Sequence, residues 1–415
     1  MRTYETTHPW LRFSVDLSKA PTNLWVMLGE CQSKCEHLSR VPLRPDTAKE
    51  LCQVYLAKGI QATTAIEGNT LSEEQVLQHI RGNLKLAPSK EYLQREINNI
   101  LQACNETTQM VVEGSKPPVS VERLKHLNGQ VLNQLDVEEG VVPGQIRTHS
   151  VVVGNAYRGA PAEDCEYLVD RLSDWLNGPD FVPSDSMKES GVVFAILRAV
   201  LAHLYLAWIH PFGDGNGRTA RLVEFEILVS SGLPIPVTNL LSSHYNLTRS
   251  KYYQQLAEAS RSGGDVIPFI LYAVEGFLDG LREYIERVWN QQYDVAWRSY
   301  VHEAFRDDTG EAHVGGWTAG SRLRDRRRRL VLDLSSQEKA VSRAQIAQVS
   351  PRIATAYARK TDMTLTRDLN ELLRMGLIVK EHGAYRARKE IILGFLPVKA
   401  AVIPSGANAA DKTEE

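Results

Sequence analysis

Residues 210–221 read His-Pro-Phe-Gly-Asp-Gly-Asn-Gly-Arg-Thr-Ala-Arg and follow the most apolar segment of the chain, Val192 to Ile209. Because Pro211 disfavours helix at the residue before it, we expect a buried helix to end at His210. Three glycines, at 213, 215 and 217, predict a tight loop, with a new helix beginning near Asn216 or Gly217. A glycine-rich turn that opens a helix offers its backbone N–H groups to an anion.

The side chains of this loop have complementary chemistry. Arg218 and Arg221 lie three residues apart, on one face of the new helix, and two guanidinium groups suit two neighbouring phosphates. Asp214 is a hard oxygen ligand of the kind that Mg²⁺ bound to phosphates requires. His210 can act as a general base near neutral pH. The pattern predicts a nucleotide-transfer site; the alternative is a glycine loop between two core helices with a solvated arginine pair, and Phe212 is expected to anchor the loop in the core.

The segment matches the motif H-P-F-x-[D/E]-G-N-G-R-x-x-R at every defined position, so the chain resembles the Fic family. The resemblance implies a mainly α-helical fold and protein adenylylation, the transfer of AMP from ATP to a Ser, Thr or Tyr hydroxyl of a target protein or of the chain itself. It implies that His210 deprotonates that hydroxyl and that Asp214 holds Mg²⁺ on the α and β phosphates. Arg218 and Arg221 would bind the β and γ phosphates.

Two further segments resemble parts of this family that border the nucleotide. Val151-Val152-Val153-Gly154-Asn155-Ala156 resembles its flap, a short hairpin whose strand edge could align an extended target; the alternative is a plain surface hairpin. Of the adjacent Tyr252 and Tyr253, we expect one to contact the adenosine and the other to pack in the core, since neighbours on a helix point about 100° apart. The ATP-binding set implied by the resemblance is Val153, Gly154, Asn155, Ala156, Asp214, Gly215, Asn216, Gly217, Arg218, Thr219, Ala220, Arg221, Tyr252 and Tyr253.

A third segment, Thr63-Thr-Ala-Ile-Glu-Gly-Asn69, indicates a helix end with Gly68 as the stop. An acid at that end is slightly unfavourable with the helix dipole, which suggests a cationic partner for Glu67; the alternative is a solvated acid. The segment resembles the inhibitory motif [S/T]-x-x-x-E-[G/N] of many Fic proteins, in the class with an N-terminal inhibitory helix. That resemblance implies that Glu67 pairs with Arg221 and blocks productive placement of the γ-phosphate.

The C-terminal region predicts two short helices, a longer helix running into a strand over 364–378, and a turn at His382-Gly383. It resembles a winged helix-turn-helix domain, which is often found behind this type of Fic core. Its arginines, including the run Arg322 to Arg329, could meet DNA phosphates; a protein-docking or dimerisation role and a solvated helix face are the alternatives. Helical signals dominate the rest of the chain and predict, among others, helices over residues 91–112, 184–209 and 265–289. The predicted fold is therefore mainly α: a helical core with a β-hairpin flap, plus this C-terminal domain.

Composition sets the remaining expectations. The 415 residues allow two or three domains, and a net charge of −2 excludes a general polyanion binder. Five scattered cysteines and a first ten residues without a secretory pattern indicate a cytoplasmic protein. We expect an N-terminal helical region over 1–90, a catalytic core over 91–306, a linker over 307–320, the winged helix over 321–397 and a disordered tail over 398–415.

The sequence thus predicts a protein adenylyltransferase that uses ATP and Mg²⁺ and is autoinhibited by Glu67, with a homodimer as a further expectation. No P-loop or protein-kinase motif set competes with this interpretation. Two alternatives remain. One is the reverse reaction, the removal of AMP from a modified target, and the other is a DNA-binding regulator whose core senses nucleotide.

Overall fold

The computed structural model describes residues 2–153, 157–183, 190–306 and 319–393, and it is mainly helical. The first twelve helices are α1 Thr3–Thr7, α2 Thr22–Arg40, α3 Pro45–Ala65, α4 Glu73–Ile80, α5 Glu91–Val112, α6 Val121–Val131, α7 Ala162–Leu176, α8 Gly191–Ile209, α9 Asn216–Ser230, α10 Ile235–Thr238, α11 Leu240–Leu247 and α12 Arg249–Arg261. The long α13, Ile267–Ala304, is followed by α14 Ala319–Leu334, α15 Arg343–Ile346, α16 Pro351–Tyr357 and α17 Asp362–Arg374. The strands are β1 Val152–Val153, β2 Tyr157–Arg158, β3 Val341–Ser342, β4 Ile378–Glu381 and β5 Ala384–Ala387.

The chain divides into two compact units, Met1–Arg287 and Val288–Glu415, and the division falls within α13. The sequence places the start of the C-terminal domain near residue 321. In the structure, Trp297 and Val301 of α13 already belong to the hydrophobic core of the second unit. The predicted linker lies almost wholly, and the predicted tail wholly, outside the described residues.

Helices α8 and α9 form the centre of the first unit. Fourteen of the nineteen residues of α8 are buried, and thirteen of the fifteen of α9. By length and composition α8 could cross a membrane, with a mean hydropathy of 2.0 over an 18-residue window, but 78% of that window is buried inside the protein. It is the buried helix that the sequence predicts, and the predicted start at Ser184 lies outside the described residues.

The limits of the helices around this centre follow from local signals. Ser120 caps α6 by accepting a hydrogen bond from the Arg123 backbone, and Ser72 begins α4 with a capping box. Helix α3 ends as predicted before Gly68, whose φ of 105° lies in the left-handed region that glycine favours. The flap hairpin pairs Val152 with Arg158 and Val153 with Tyr157. Its predicted ATP-binding residues Gly154, Asn155 and Ala156 lie outside the described residues.

The second unit combines short helices with one antiparallel sheet in the order β3-β5-β4. His382 and Gly383 both have positive φ, as the predicted tight turn between β4 and β5 requires. Much of the arginine run is paired inside the unit. Arg326 and Arg327 both bind the buried Asp368, and Arg328 and Arg329 both bind Asp325.

Candidate active site

His210 stands at the junction of α8 and the glycine-rich loop. It caps the C-terminus of α8 in the left-handed conformation, with φ 52° and ψ 58°, and its N–H donates to the Leu206 carbonyl. Burial lowers the pKa of His210 to about 4; the positive charge of Arg147 acts in the same direction, and the Glu67 and Asp214 carboxylates oppose it. The imidazole is therefore neutral at physiological pH and able to accept a proton.

The loop is held in shape by its own side chains. Asn216 accepts a hydrogen bond from the Phe212 N–H at 2.9 Å and donates to the Phe212 carbonyl at 2.8 Å. Phe212 is buried, as predicted for a core anchor. Gly215 has a φ of 75° and directly precedes α9, whose first N–H groups have no intrahelical acceptor. The sequence predicts an anion cradle here, and the binding of an anion stays a prediction: the Gly215 N–H donates to the Asp214 carboxylate at 2.5 Å, and the Asn216 amide is engaged in the loop itself.

Asn128 of α6 braces the loop from outside. Its side chain donates to the Asp214 carbonyl at 2.9 Å and to the Thr219 hydroxyl at 3.3 Å. Its amide oxygen accepts a hydrogen bond from the Gly144 N–H at 3.0 Å. Thr219 and Ala220, both in the predicted ATP-binding set, are buried at 1% exposure, so their side chains point into the protein.

Arg218 is buried and bound by two carboxylates. Its guanidinium donates to Glu96 at 2.9 Å and to Asp214 at 3.2 Å. The other Glu96 oxygen accepts a hydrogen bond at 2.8 Å from Asn69, which lies in the predicted inhibitory segment. Glu96 therefore connects that segment to an arginine predicted to bind phosphate.

Asp214 fits a role in holding Mg²⁺. Its side chain is 46% exposed beside Arg218, so it faces the space next to the cradle. In the described residues no group of three carboxylate, histidine or cysteine side chains forms a metal site. Mg²⁺ that is carried on phosphates commonly uses only one or two protein carboxylates, so a single carboxylate at this position suits the ion.

Arg221 is fully buried and paired with Glu67, the pair that the resemblance to the inhibitory motif implies. One nitrogen donates to the Glu67 carboxylate at 2.5 Å and to the Thr63 carbonyl at 3.0 Å. Burial alone would raise the pKa of Glu67, but the charge and hydrogen bond of Arg221 outweigh it, and the pKa is lowered. Glu67 is therefore ionised at neutral pH and neutralises Arg221.

The two adjacent tyrosines point in different directions. Tyr252 is buried, bonds His203 through its hydroxyl at 2.8 Å and stacks on Tyr245 with ring centroids 4.8 Å apart. Tyr253 is 43% exposed, with the Arg249 guanidinium 6.0 Å from its ring centre. Of the two, Tyr253 is free to meet a nucleotide, and its contact with adenosine stays a prediction.

Three residues at the site were not assigned a role from the sequence: Glu96, Asn128 and Arg147. Glu96 and Asn128 lie on helices distant in sequence from the loop, and neither belongs to a local motif. Arg147 lies shortly before the flap, and the only local signal for it is a cation that precedes a short apolar strand. Spacing within one segment detects residues that share a helix face, but not residues that tertiary packing brings together.

Part of the chain is similar to a known protein family. Residues 118–228 match the model of the Fic/DOC family. The proteins named protein adenylyltransferase fic-1 from Caenorhabditis briggsae and Caenorhabditis elegans are each 32% identical over 229 residues, which make up 54% of this chain and 40% of the relative. Protein adenylyltransferase Fic from Nematostella vectensis is 27% identical over 247 residues, 59% of this chain and 52% of its own length. The chain thus spans about half, or less, of the length of these relatives.

Two solved structures share the fold. A Fic family protein from Desulfovibrio desulfuricans superposes with a TM-score of 0.50 at 20% identity, over 88% of this chain and 94% of its own. A Fic domain containing signaling protein from Bacteroides thetaiotaomicron superposes with a TM-score of 0.52 at 22% identity, over 64% of this chain and 98% of its own. At these identities the likeness concerns the fold alone.

Proposed function

We propose that this chain, whose residues 118–228 match the model of the Fic/DOC family, transfers AMP from ATP to a hydroxyl side chain of a protein. The observation that carries the proposal is the loop between α8 and α9. Together, this loop and the first turns of α9 place a neutral histidine, an exposed carboxylate, free helix N–H groups and two buried arginines within twelve residues. The names of the relatives from three animals agree with this activity.

The proposed reaction is an in-line displacement at the α-phosphorus. Nε2 or Nδ1 of the neutral His210 accepts the proton of the attacking hydroxyl, a bond forms between that oxygen and the α-phosphorus, and pyrophosphate leaves with the electrons of the broken P–O bond. The cradle and the start of α9 place N–H groups against the phosphate oxygens. Mg²⁺ held by Asp214 would neutralise charge on the phosphates. Arg218 and Arg221 would bind the departing phosphates.

Both arginines carry a carboxylate partner from outside the loop, which supports autoinhibition as part of the proposal. Glu67 sits on Arg221, and Glu96 sits on Arg218. A γ-phosphate that binds Arg221 must displace Glu67, because the anion and the carboxylate compete for one buried guanidinium. We therefore infer that the wild-type protein binds ATP largely in a non-productive pose.

The C-terminal region is proposed to be a winged helix, which is supported by its order of short helices followed by the β4–β5 hairpin. Four arginines of the run 322–329 are paired with aspartates, which neutralise positive charge that would otherwise be available to DNA phosphates. These ion pairs argue against the DNA-binding alternative. The homodimer and the cytoplasmic location stay predictions.

The test is to incubate the Glu67→Gly variant with ATP and Mg²⁺ and to measure AMP incorporation by intact-protein mass spectrometry. A charge-assisted pair with a buried arginine contributes about 1.5–3 kcal/mol. If the Glu67–Arg221 pair stabilises only the inhibited state, its removal raises the rate of transfer by roughly 10–10²-fold. We expect at least about tenfold more AMP on the protein, or on added proteins, than with the wild type. Glu50→Gly on the exposed face of α3 is the matched control and should behave as wild type.

Two further variants identify the reaction. His210→Ala in the Glu67→Gly background should abolish transfer while ATP still binds, and Arg221→Ala should remove the gain. Equal incorporation by wild type and Glu67→Gly would contradict autoinhibition. Loss of AMP removal from a modified protein in Glu67→Gly, without any gain in transfer, would favour the reverse reaction with Glu67 orienting water.

A further inference from the structure

Arg147 is a buried cation whose hydrogen-bond partners are all main-chain carbonyls. It is 4% exposed. Its Nε donates to the His210 carbonyl at 2.7 Å, and Nη1 donates to the His149 carbonyl at 2.6 Å. Its Nη2 donates to the Ala160 carbonyl and, at 3.4 Å, to the Ile209 carbonyl. Over the ranges that the structure describes, no carboxylate is paired with Arg147, so burying this charge requires a reason other than an ion pair.

The four acceptors come from two different elements. Ile209 and His210 are the end of α8, where carbonyls lack intrahelical donors and the helix dipole favours a cation. His149 and Ala160 flank the flap hairpin on either side. One guanidinium therefore binds the end of the catalytic helix and both ends of the flap together.

Backbone contacts join the same two elements at the same point. The Arg147 N–H donates to the Pro211 carbonyl at 3.0 Å, and the Ala160 N–H donates to the Ile209 carbonyl at 3.2 Å. Gly159 shows how close the packing is: a Cβ added there would lie 3.0 Å from Nη2 of Arg147 and 3.0 Å from Cβ of His210. The base of the flap thus lies directly against the backbone of His210.

We propose that Arg147 is a positioning residue for AMP transfer, which locks the base of the flap to the left-handed backbone of His210 and so keeps the imidazole aligned with a hydroxyl presented along the flap. The inference rests on the proposed function, and it adds a residue outside the loop to the machinery. Left-handed φ is unfavourable for a non-glycine residue, so the conformation of His210 needs external support of this kind.

Arginine is the side chain that this arrangement requires. Its planar guanidinium presents five donors in fixed directions, whereas a lysine ammonium is a single point that cannot span carbonyls on both elements. Lysine would keep the positive charge but lose the geometry, and methionine would lose both. The pair of variants Arg147→Lys and Arg147→Met therefore separates alignment from charge.

The rate experiment uses the full chain in the Glu67→Gly background, with initial rates of AMP incorporation measured as a function of ATP concentration. We expect Arg147→Lys to lower kcat by about tenfold or more, the scale of a misaligned reacting group, while KM for ATP changes less than about twofold. Arg171→Met, at an exposed position of α7, is the matched control and should leave both constants unchanged. Equal kcat in Arg147→Lys and its parent would overturn the proposal, as would a loss confined to KM.

Gly159→Ala tests the same junction without altering Arg147. Its added Cβ should push the flap base from His210 and produce the same fall in kcat with KM for ATP retained. If the arginine variants fail to fold, this variant decides the question. An unchanged kcat in a folded Gly159→Ala protein would contradict the proposed alignment.

A second readout does not depend on transfer. The charged groups that act on His210 are Arg147, which lowers its pKa, and Glu67 and Asp214, which raise it. In the nucleotide-free Glu67→Gly protein, NMR titration of His210 should show a higher midpoint in Arg147→Met than in Arg147→Lys. If the parent transfers no AMP at all, the proposed function fails. The titration then still tests whether Arg147 lies against His210, and identical midpoints in the two variants would overturn that placement.

Discussion

Gly217 leaves no room for a larger side chain beside the Glu67–Arg221 pair. A Cβ on Gly217 would lie 2.3 Å from the Glu67 carboxylate and 3.1 Å from the nearest Arg221 nitrogen. Gly217 does not have a left-handed φ, so alanine fits its backbone. Alanine in the first turn of α9 must therefore displace the Glu67 carboxylate from its bond with Arg221.

We predict that Gly217→Ala lowers the free energy of unfolding of the wild type by about 1.5–3 kcal/mol, the value of a charge-assisted hydrogen bond. In Glu67→Gly the same substitution should be neutral or stabilising by up to about 1 kcal/mol, because glycine within a helix is itself unfavourable. Denaturant unfolding of the four proteins forms a double-mutant cycle. The same cost in both backgrounds would mean that Gly217 and Glu67 are not coupled.

The residues that sequence reasoning found are those whose partners lie within one short segment. His210, Asp214, Arg218 and Arg221 occupy a single loop and the first turns of one helix, so spacing alone relates them. Glu96 reaches Arg218 across 122 positions of the chain, and no local pattern encodes that contact. Glu67 is the exception: the helix dipole suggests only that this carboxylate has a cationic partner, and its pairing with Arg221, 154 positions away, is expected from the resemblance to the inhibitory motif.

Glu67 lies just beyond the end of α3, and a residue of α12 binds that helix end. Arg249 of α12 donates to the Ala65 carbonyl at 3.2 Å and to the Ile66 carbonyl. These carbonyls belong to the last turn of α3, where a cation is favourable with the dipole. Arg249 therefore fixes the helix end from which Glu67 reaches Arg221.

We predict that Arg249→Met raises the rate of AMP incorporation several-fold, because a looser helix end weakens the Glu67–Arg221 pair without altering either residue. The gain should be smaller than that of Glu67→Gly, since the carboxylate remains present, and it should vanish when the two substitutions are combined. Rates are compared with those of Arg261→Met, at an exposed position of the same helix. A gain that persists in the Glu67→Gly background would show that Arg249 acts on the nucleotide, through Tyr253, and not on α3.

Element limits were predictable where a local stop signal exists. Helix α5 has the predicted limits Glu91–Val112, and α3 ends at the predicted glycine. Helix α13 continues to Ala304, well beyond the predicted end at Trp289. No glycine or proline follows Trp289 for more than fifteen residues, and its continuation is stabilised by Trp297 and Val301 in the core of the second unit, which periodicity alone does not reveal.

At the scale of the whole molecule, the two compact units divide the chemistry unevenly. Every residue predicted to bind nucleotide lies before residue 262, within the unit Met1–Arg287. The second unit has its own core, which includes Leu330, Leu369 and Tyr385. The residues of α13 beyond Arg287 belong to the second unit, and Trp297 and Val301 are part of its core. The position of a truncation within α13 should therefore decide whether the first unit stays monomeric.

We predict that a chain ending after Arg287 folds, binds ATP and, with Glu67→Gly, incorporates AMP as the full chain does. A chain ending after Arg306 keeps Trp297 and Val301, which are at most 1% exposed in the full protein, without the core that covers them. Exposing two such side chains costs about 1.5–3 kcal/mol each, which self-association can recover. Light scattering should therefore show a monomer for the shorter chain and oligomers for the longer one, and Trp297→Ser with Val301→Ser should return the longer chain to a monomer. ATP titration calorimetry completes the test: a folded chain of residues 1–287 that binds no ATP would show that the nucleotide site depends on the second unit.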